Sequence, residues 1–388
     1  MRILHRYILK EMLKALALAL AAVSGIVCFA MVLQALQQQG LGPLTSLVYM
    51  GLSIPGAAYI ALPLSAVLAG TLVYGRLAAD NEVLACRASG IPISSLFWPT
   101  IVMAFLAMLM VAGLAAWPLP ASTYAAKQLA LSDIERLFFT HLSTTGKISV
   151  KEAGFQMRVD RVVGDMLYGP TLMYRGTNGQ TYCYAPYGRA AFDRERNRAK
   201  LALWEAVVVD EAHAVPVRGS HSVTLTLPTV VPHKEDDLSL WRLMATQRRP
   251  EIADRVRMLP EDSTDEAIEA MKKAVCARAM AEMHGRLAGA VGCFGLVLVG
   301  VGLGMYFHSG HLLAAFGVAL APWLGATVLT MTAVKTVARA VENPQDQVWL
   351  IWMPNLAVVV LGLILLAHLS WMWETPGGWF GLLGGRRR

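Results

Sequence analysis

Gly75-Arg-Leu-Ala-Ala-Asp-Asn-Glu-Val-Leu-Ala-Cys-Arg-Ala-Ser-Gly-Ile-Pro92 lies between two apolar runs, Leu44–Tyr74 and Ile93–Trp117. Each run is longer than the roughly 20 residues a helix needs to cross a hydrocarbon core. The stretch between them carries Arg76, Asp80, Glu82 and Arg87, too much charge to rest in lipid. The chain therefore crosses a membrane, passes through a charged, helix-compatible segment and crosses back. A turn needs only a few residues, so a connection this long and this polar points to a short helix on the cytoplasmic face that docks a soluble partner.

Four more windows reach spanning length: Met12–Leu36, Leu287–Tyr306, Leu312–Val334 and Val348–Trp371. Three windows precede a polar block and three follow it. A composition of 55% hydrophobic and 16% charged residues over 388 excludes an ordinary soluble protein. The net charge of +7 is concentrated in part at the two ends, in Arg2, Arg6, Lys10 and Lys14 and in Arg386, Arg387 and Arg388. Basic flanks favour the cytoplasm, so both termini, residues 75–92 and the Phe307–His311 turn are placed inside and the polar block outside. The first window is too long for a signal-peptide core and is read as a retained helix. Lys335 and Arg339 fall at the outer end of the fifth helix, against the positive-inside trend.

From Ser122 to about Met280 the composition becomes that of a soluble domain. Tyr124–Thr140 has helical periodicity, with Leu129, Ile134, Leu137 and Phe138 on one face. After Gly146 come short β-branched and aromatic runs: Ile148–Val150, Phe155–Val159, Met166–Tyr174, Thr181–Tyr184, Leu201–Val209 and Ser222–Leu227. Gly164, Gly169-Pro170, Asn178-Gly179, Pro186 and Gly219 punctuate them, which predicts an all-β sandwich, jelly roll or similar fold. Leu238–Arg278 reads as helical and leads back to the membrane. The Gly-rich end, Pro376–Gly385, reads as a tail.

No phosphate-binding glycine loop is present; the closest approach, Thr145-Gly146-Lys147-Ile148, lacks the first glycine and the hydroxyl. Neither a zinc-protease motif nor a nucleophile elbow is found, and His284, His308 and His311 sit near helix ends, where interfacial anchoring explains them. No catalytic site, metal site or cofactor is assigned to this chain. Five scattered cysteines signal neither zinc nor redox chemistry, and only Cys183 and Cys276 share the outer side, as two free thiols or a pair. On one continuous helix over 76–90, Arg76, Asp80 and Arg87 share a side with Leu77, Leu84 and Ile91. Glu82 then points the opposite way among Ala78, Ala79, Ala85, Cys86 and Ser89, a lone carboxylate suited to a basic groove. Gly90 suits a left-handed helix end and Pro92 prevents continuation. The plainer alternative is a solvated loop whose charges only keep it out of lipid.

Gly75-Arg-Leu-x-x-Asp-x-Glu82 followed by Ala85-x-Arg-Ala-x-Gly90 resembles the coupling-helix signature of the LptF/LptG (YjgP/YjgQ) lipopolysaccharide-export permeases. Arg6-Tyr-Ile-Leu-Lys-Glu11, Glu282-Met-His-x-Arg286 and Trp352-Met-Pro-Asn355 extend the likeness over nearly the whole chain. Ala290 departs from it near a usual proline, and Gln34, Gln37, Gln38 and Gln39 stand where family members often carry lysines. The resemblance implies six transmembrane helices with a periplasmic β-jellyroll inserted between the third and fourth. Helices 1–3 then occupy residues 1–121, with the coupling helix at 76–90. The periplasmic domain occupies 122–280 with its jellyroll core at 146–230, helices 4–6 occupy 281–371, and a cytoplasmic tail 372–388. It implies a bacterial inner-membrane permease subunit that extracts lipopolysaccharide, with an LptB-like ATPase dimer holding ATP and Mg and contacting Arg76, Asp80, Glu82 and Arg87. A second LptF/LptG-type subunit and LptC/LptA-like periplasmic jellyroll proteins are the other implied partners. Lys335 and Arg339 are read as candidate contacts for substrate phosphates or carboxylates, with snorkelling to phospholipid as the alternative. The alternative functions are an ABC permease for another lipid or lipoprotein, or a membrane-anchored scaffold that transports nothing.

Overall fold

A computed structural model describes residues 2–39, 43–132, 142–143, 145–150, 155–176, 179–193, 198–209, 214–216, 220–226, 235–257, 264–307, 312–340 and 342–374. Ile134, Leu137, Phe138, Asn178, Gly219, His308, His311 and the tail from Pro376, with its three arginines, lie outside the described residues. Before the strands come α1 (Arg2–Gln39), α2 (Pro43–Ala79), α3 (Glu82–Ala88), α4 (Ile93–Leu96), α5 (Trp98–Ala116) and α6 (Pro118–Ser132). After them come α7 (Leu240–Arg248), α8 (Asp254–Arg257), α9 (Asp265–Tyr306), α10 (Leu312–Arg339) and α11 (Trp349–Glu374). Among the described residues, six helical stretches are long and apolar enough to cross a membrane: Ile3–Gln34, Thr45–Ala79, Ile93–Leu129, Asp265–Tyr306, Ala314–Arg339 and Pro344–Met372. Several overrun their apolar windows, because polar residues at a helix end keep their backbone hydrogen bonds while their side chains reach water. The protein is a multi-pass membrane protein.

The chain forms two compact units, one of Met1–Phe29, Leu52–Tyr124 and Pro232–Arg388, the other of Ala30–Gly51 and Ala125–Val231. In the first, α9 is the hub: 72% of its most apolar window is buried, against 17% for the windows of α1 and of α10. Glycines let it come this close to its neighbours. A Cβ at Gly300 would stand 2.6 Å from the Val67 carbonyl oxygen of α2, and one at Gly304 2.7 Å from that of Thr71. On the other side, Gly295 meets the Val359 backbone of α11, where a Cβ would fall 2.7 Å from its nitrogen. With no hydrophobic effect between helices in lipid, such backbone contact supplies the dispersion energy that holds α2, α9 and α11 together.

The second unit holds eleven strands among its described residues: β1 (Lys147–Val150), β2 (Phe155–Arg158), β3 (Arg161–Val163), β4 (Met166–Tyr168), β5 (Thr171–Gly176), β6 (Gly179–Tyr184), β7 (Tyr187–Asp193), β8 (Arg198–Trp204), β9 (Val207–Val209), β10 (Ala214–Pro216) and β11 (Ser220–Thr226). They form two antiparallel sheets, β1-β2-β5-β6-β9-β10 and β11-β8-β7-β4-β3. Successive hairpins therefore alternate between the sheets. Registers place Ile148, Met157, Leu172, Cys183, Val208 and Val215 opposite one another in a single row across the first sheet. Met157, Leu172 and Cys183 share one core with Leu167, Leu201 and Leu203 of the second sheet. Two runs that read as single strands, Met166–Tyr174 and Leu201–Val209, each break where the chain changes sheet. The corners fall at Gly169, with φ +62°, and at Glu205, with φ +54°, left-handed positions that end a ladder. All five cysteines are free, Cys183 within the sheet core.

Candidate functional site

The charged segment is not one helix over 76–90, as its periodicity predicts. α2 carries Arg76 and Leu77 to its end at Ala79, and a new helix begins at Glu82. The break is at Asn81, whose φ of 59° and ψ of 16° are left-handed, a conformation asparagine tolerates better than most residues. The Asn81 carbonyl accepts from Ala85 N–H at 2.9 Å and so starts α3. Gly90, at φ +77°, closes it: its N–H donates to the Arg87 carbonyl at 2.9 Å and Ile91 N–H to the Cys86 carbonyl at 3.1 Å. These paired bonds form the Schellman cap that the Gly90-x-Pro92 pattern predicts.

The break reorients every side chain of the segment. Val83 is buried in the core formed with Tyr74, Leu77, Ile93 and Leu96, and Cys86 and Ile91 pack against that core. Glu82 and Arg87 are half-buried on the flanks, while Leu84, Ala85, Ala88 and Ser89 face outward with Asp80 and Asn81. The lone projecting carboxylate inferred for Glu82 is therefore replaced by an outward apolar strip, with Leu84 48% exposed and small residues around it. Arg76 is drawn away from the segment: its Nη2 donates to Glu11 Oε2 of α1 at 3.3 Å, and Lys14 Nζ donates to Glu11 Oε1 at 2.9 Å. A His5 Nε2···Ser95 Oγ contact at 3.1 Å ties α1 to α4. Buried Tyr74 donates to the Leu96 carbonyl at 2.6 Å and accepts from Thr100 Oγ1 at 2.6 Å. Burial pushes the Cys86 thiol up, Glu82 adding to the shift.

At the other end of the helical unit, Arg286 of α9 is 5% exposed. Its Nε donates to Glu282 Oε1 at 3.0 Å. Nη1 reaches the carbonyls of Ala115 (3.2 Å) and Leu238 (2.7 Å), and Nη2 that of Asp236 (2.7 Å). One guanidinium thus ties α9, the last turn of α5 and the turn Glu235–Asp237 ahead of α7. Two residues before Arg286 on the same helix, His284 Nδ1 accepts from Trp352 Nε1 at 3.3 Å, with the rings edge to face. Asn355, also buried, donates from Nδ2 to Thr330 Oγ1 at 2.9 Å. Its Oδ1 stands where a Cβ at Gly292 would overlap it.

Around these groups lies a cavity of about 580 Å³ between α2, α9, α10 and α11. Glu282, Arg286, Asn355 and Lys335 line it together with apolar side chains. Arg339, exposed at the end of α10, does not. The structure therefore separates the two cations that the sequence reading pairs: Lys335 belongs to a cavity and Arg339 to the surface. Sequence reasoning picked out the Glu282-x-x-x-Arg286 and Trp352–Asn355 motifs but gave them no role, since nothing in a single sequence says that they meet.

The family model described as "Lipopolysaccharide export system permease LptF/LptG" matches residues 6–368. The chain belongs to the LptF/LptG family. No curated protein matches it. Membership in LptF/LptG carries a role as a permease in lipopolysaccharide export. The match takes in each motif that carried the resemblance, and all three outside the charged segment are clamps: Glu11 on Arg76, Arg286 on three carbonyls, Trp352 on His284.

Proposed function

We propose that this chain is the permease subunit through which ATP hydrolysis in a separate subunit drives lipopolysaccharide out of the bacterial inner membrane and onto a periplasmic β-jellyroll bridge. The outward strip of α3 supports this most directly. A helix held from below by Val83 and offering Leu84, Ala85 and Ala88 to water, with Asp80, Glu82 and Arg87 beside them, is shaped to enter a groove on a soluble partner. An LptB-like ATPase dimer is that partner, and ATP and Mg reside there. Arg76 acts through Glu11, so a push on α3 is passed to α1 as a rigid body.

Exposing lipid chains to water costs roughly 0.8 kcal/mol per CH₂, so an apolar route has to continue beyond the bilayer. The two-sheet unit, read as a periplasmic jellyroll with both termini of the chain cytoplasmic, supplies its beginning, and LptC/LptA-like proteins extend it. α1 and α10 leave most of their apolar windows uncovered, which favours a second LptF/LptG-type subunit beside them. Lys335 and Arg339 contact anionic groups of the lipid. The deciding experiment is co-purification of the ATPase with this chain. Glu82→Lys and Leu84→Asp are expected to abolish it, and retention with both variants contradicts the coupling role. An ABC permease for a different lipid passes this test, and the mass of the co-purified lipid separates the two; a scaffold fails it.

A further inference from the structure

The cavity between α2, α9, α10 and α11 has polar groups at work and polar groups to spare. Arg286 and Glu282 neutralise one another at 3.0 Å, and three of the four remaining N–H donors of Arg286 are taken by carbonyls. Among the described residues, Lys335 has no anionic partner within salt-bridge distance, the Tyr59 hydroxyl has no hydrogen bond, and Asn355 Oδ1, on a 5% exposed residue, accepts none. The cavity thus has one net positive charge, at its exposed edge, and a few unpartnered polar atoms. Its walls are apolar: Pro63, Leu296, Trp323, Ala326 and Val358. It opens beside Ile60 and Met331, which are 43% and 61% exposed.

An apolar hollow inside a helix bundle gives water too few partners and gives a hydrocarbon chain many. Its 580 Å³ is the size of a site for one small ligand and cannot take the several chains of a lipopolysaccharide. We propose that this cavity is a binding site for a single acyl chain bearing an anionic headgroup, with the chain along Leu296, Trp323 and Val358 and the phosphate or carboxylate at Lys335. The ligand chemistry is shared by a bilayer phospholipid and by one leg of the exported lipid. The proposal deepens the reading of Lys335 as an anion contact and needs no assumption about ATP coupling.

The test uses the full chain in nanodiscs and a lysophosphatidylglycerol whose acyl chain is brominated, so that it quenches a tryptophan it touches. The quenching lost on Trp323→Phe isolates the signal of the cavity. It is expected to saturate as a single site. Ala326→Phe, which fills the cavity, removes the saturable component. Gly289→Leu does so by a second route, since a Cβ there meets only the Tyr59 hydroxyl at 3.3 Å. Lys335→Glu, an exposed change that leaves folding intact, weakens binding about tenfold, Lys335→Arg less than twofold, and a brominated monoacylglycerol is indifferent to both. Competition by phosphatidylglycerol but not by lipopolysaccharide assigns the site to a bilayer lipid, and displacement by lipopolysaccharide assigns it to a leg of the cargo. Quenching that persists in the filled variants, or that ignores Lys335→Glu, overturns the proposal, and neither result bears on ATPase co-purification.

Discussion

Arg286→Met should loosen the turn Glu235–Asp237 and helix α7 from the helical unit. The substitution keeps the length of the side chain and deletes four contacts, at 3.0 Å to Glu282 and at 3.2, 2.7 and 2.7 Å to the Ala115, Leu238 and Asp236 carbonyls. Hydrogen bonds from a charged donor contribute about 1.5–3 kcal/mol each in isolation, but they are not independent here. Removing one partner of a buried ion pair costs about 3–5 kcal/mol. With the Glu282 side chain 29% exposed, water repays part of its loss, so a value of about 3 kcal/mol at the lower end applies. Amide exchange across 236–248 reads the local opening free energy and should accelerate on the order of a hundredfold, at roughly 1.4 kcal/mol per tenfold. Arg286→Lys keeps the charge without the fork of donors and should recover less than half of the loss. Glu282→Gln added to Arg286→Met should regain about 1 kcal/mol by removing the stranded carboxylate. Exchange within threefold of the wild type in Arg286→Met would refute the clamp.

Gly300→Val places a branched side chain where a Cβ already falls 2.6 Å from the Val67 carbonyl oxygen, and should cost about 3 kcal/mol or slightly more, seen as a lower melting temperature in detergent; Gly25→Ala, with nothing within 4 Å of its Cβ, should melt like the wild type. Asn81→Gly should preserve ATPase co-purification while Asn81→Val weakens it, because the left-handed turn between α2 and α3 costs a β-branched residue about 1–2 kcal/mol. Burial raises the Cys183 thiol above the ordinary thiol range, so the reactive thiolate is scarce at neutral pH and maleimide labelling should stay slow, rising only as pH climbs toward that raised value or when the β unit is unfolded. Tyr74→Phe should destabilise the chain by about 1–2 kcal/mol by leaving the buried Leu96 carbonyl without its donor at 2.6 Å, measured by chemical denaturation in mixed micelles.

The membrane body was legible because hydropathy is a local sum: each window needs only its own residues to declare a span. The strands were legible where β-branched and aromatic residues cluster. β7, Tyr-Gly-Arg-Ala-Ala-Phe-Asp over 187–193, escaped because it has little β propensity, and it is held by register with β4 and β8 on both sides. β3 and β10, three residues each, are too short to show a period. Gly90 and Pro92 announced the end of α3 correctly, since a cap depends on its own backbone angles. Its beginning was missed because asparagine in a helical pattern gives no notice of adopting φ 59°, and that single residue moved Val83 into the core and turned Leu84 outward. Arg286 stood in a recognised motif, yet its partners at Ala115, Asp236 and Leu238 are distant in sequence and become neighbours only on folding.

The central claim, that this chain moves lipopolysaccharide under the drive of a partner ATPase, is tested most directly in proteoliposomes containing the chain, its companion permease, the ATPase and labelled lipopolysaccharide, with a soluble jellyroll acceptor outside. The account predicts ATP-dependent transfer of label to the acceptor, lost with Glu82→Lys and Leu84→Asp in this chain. Label that stays in the vesicles while ATP is hydrolysed, or transfer that is indifferent to both substitutions, would contradict it.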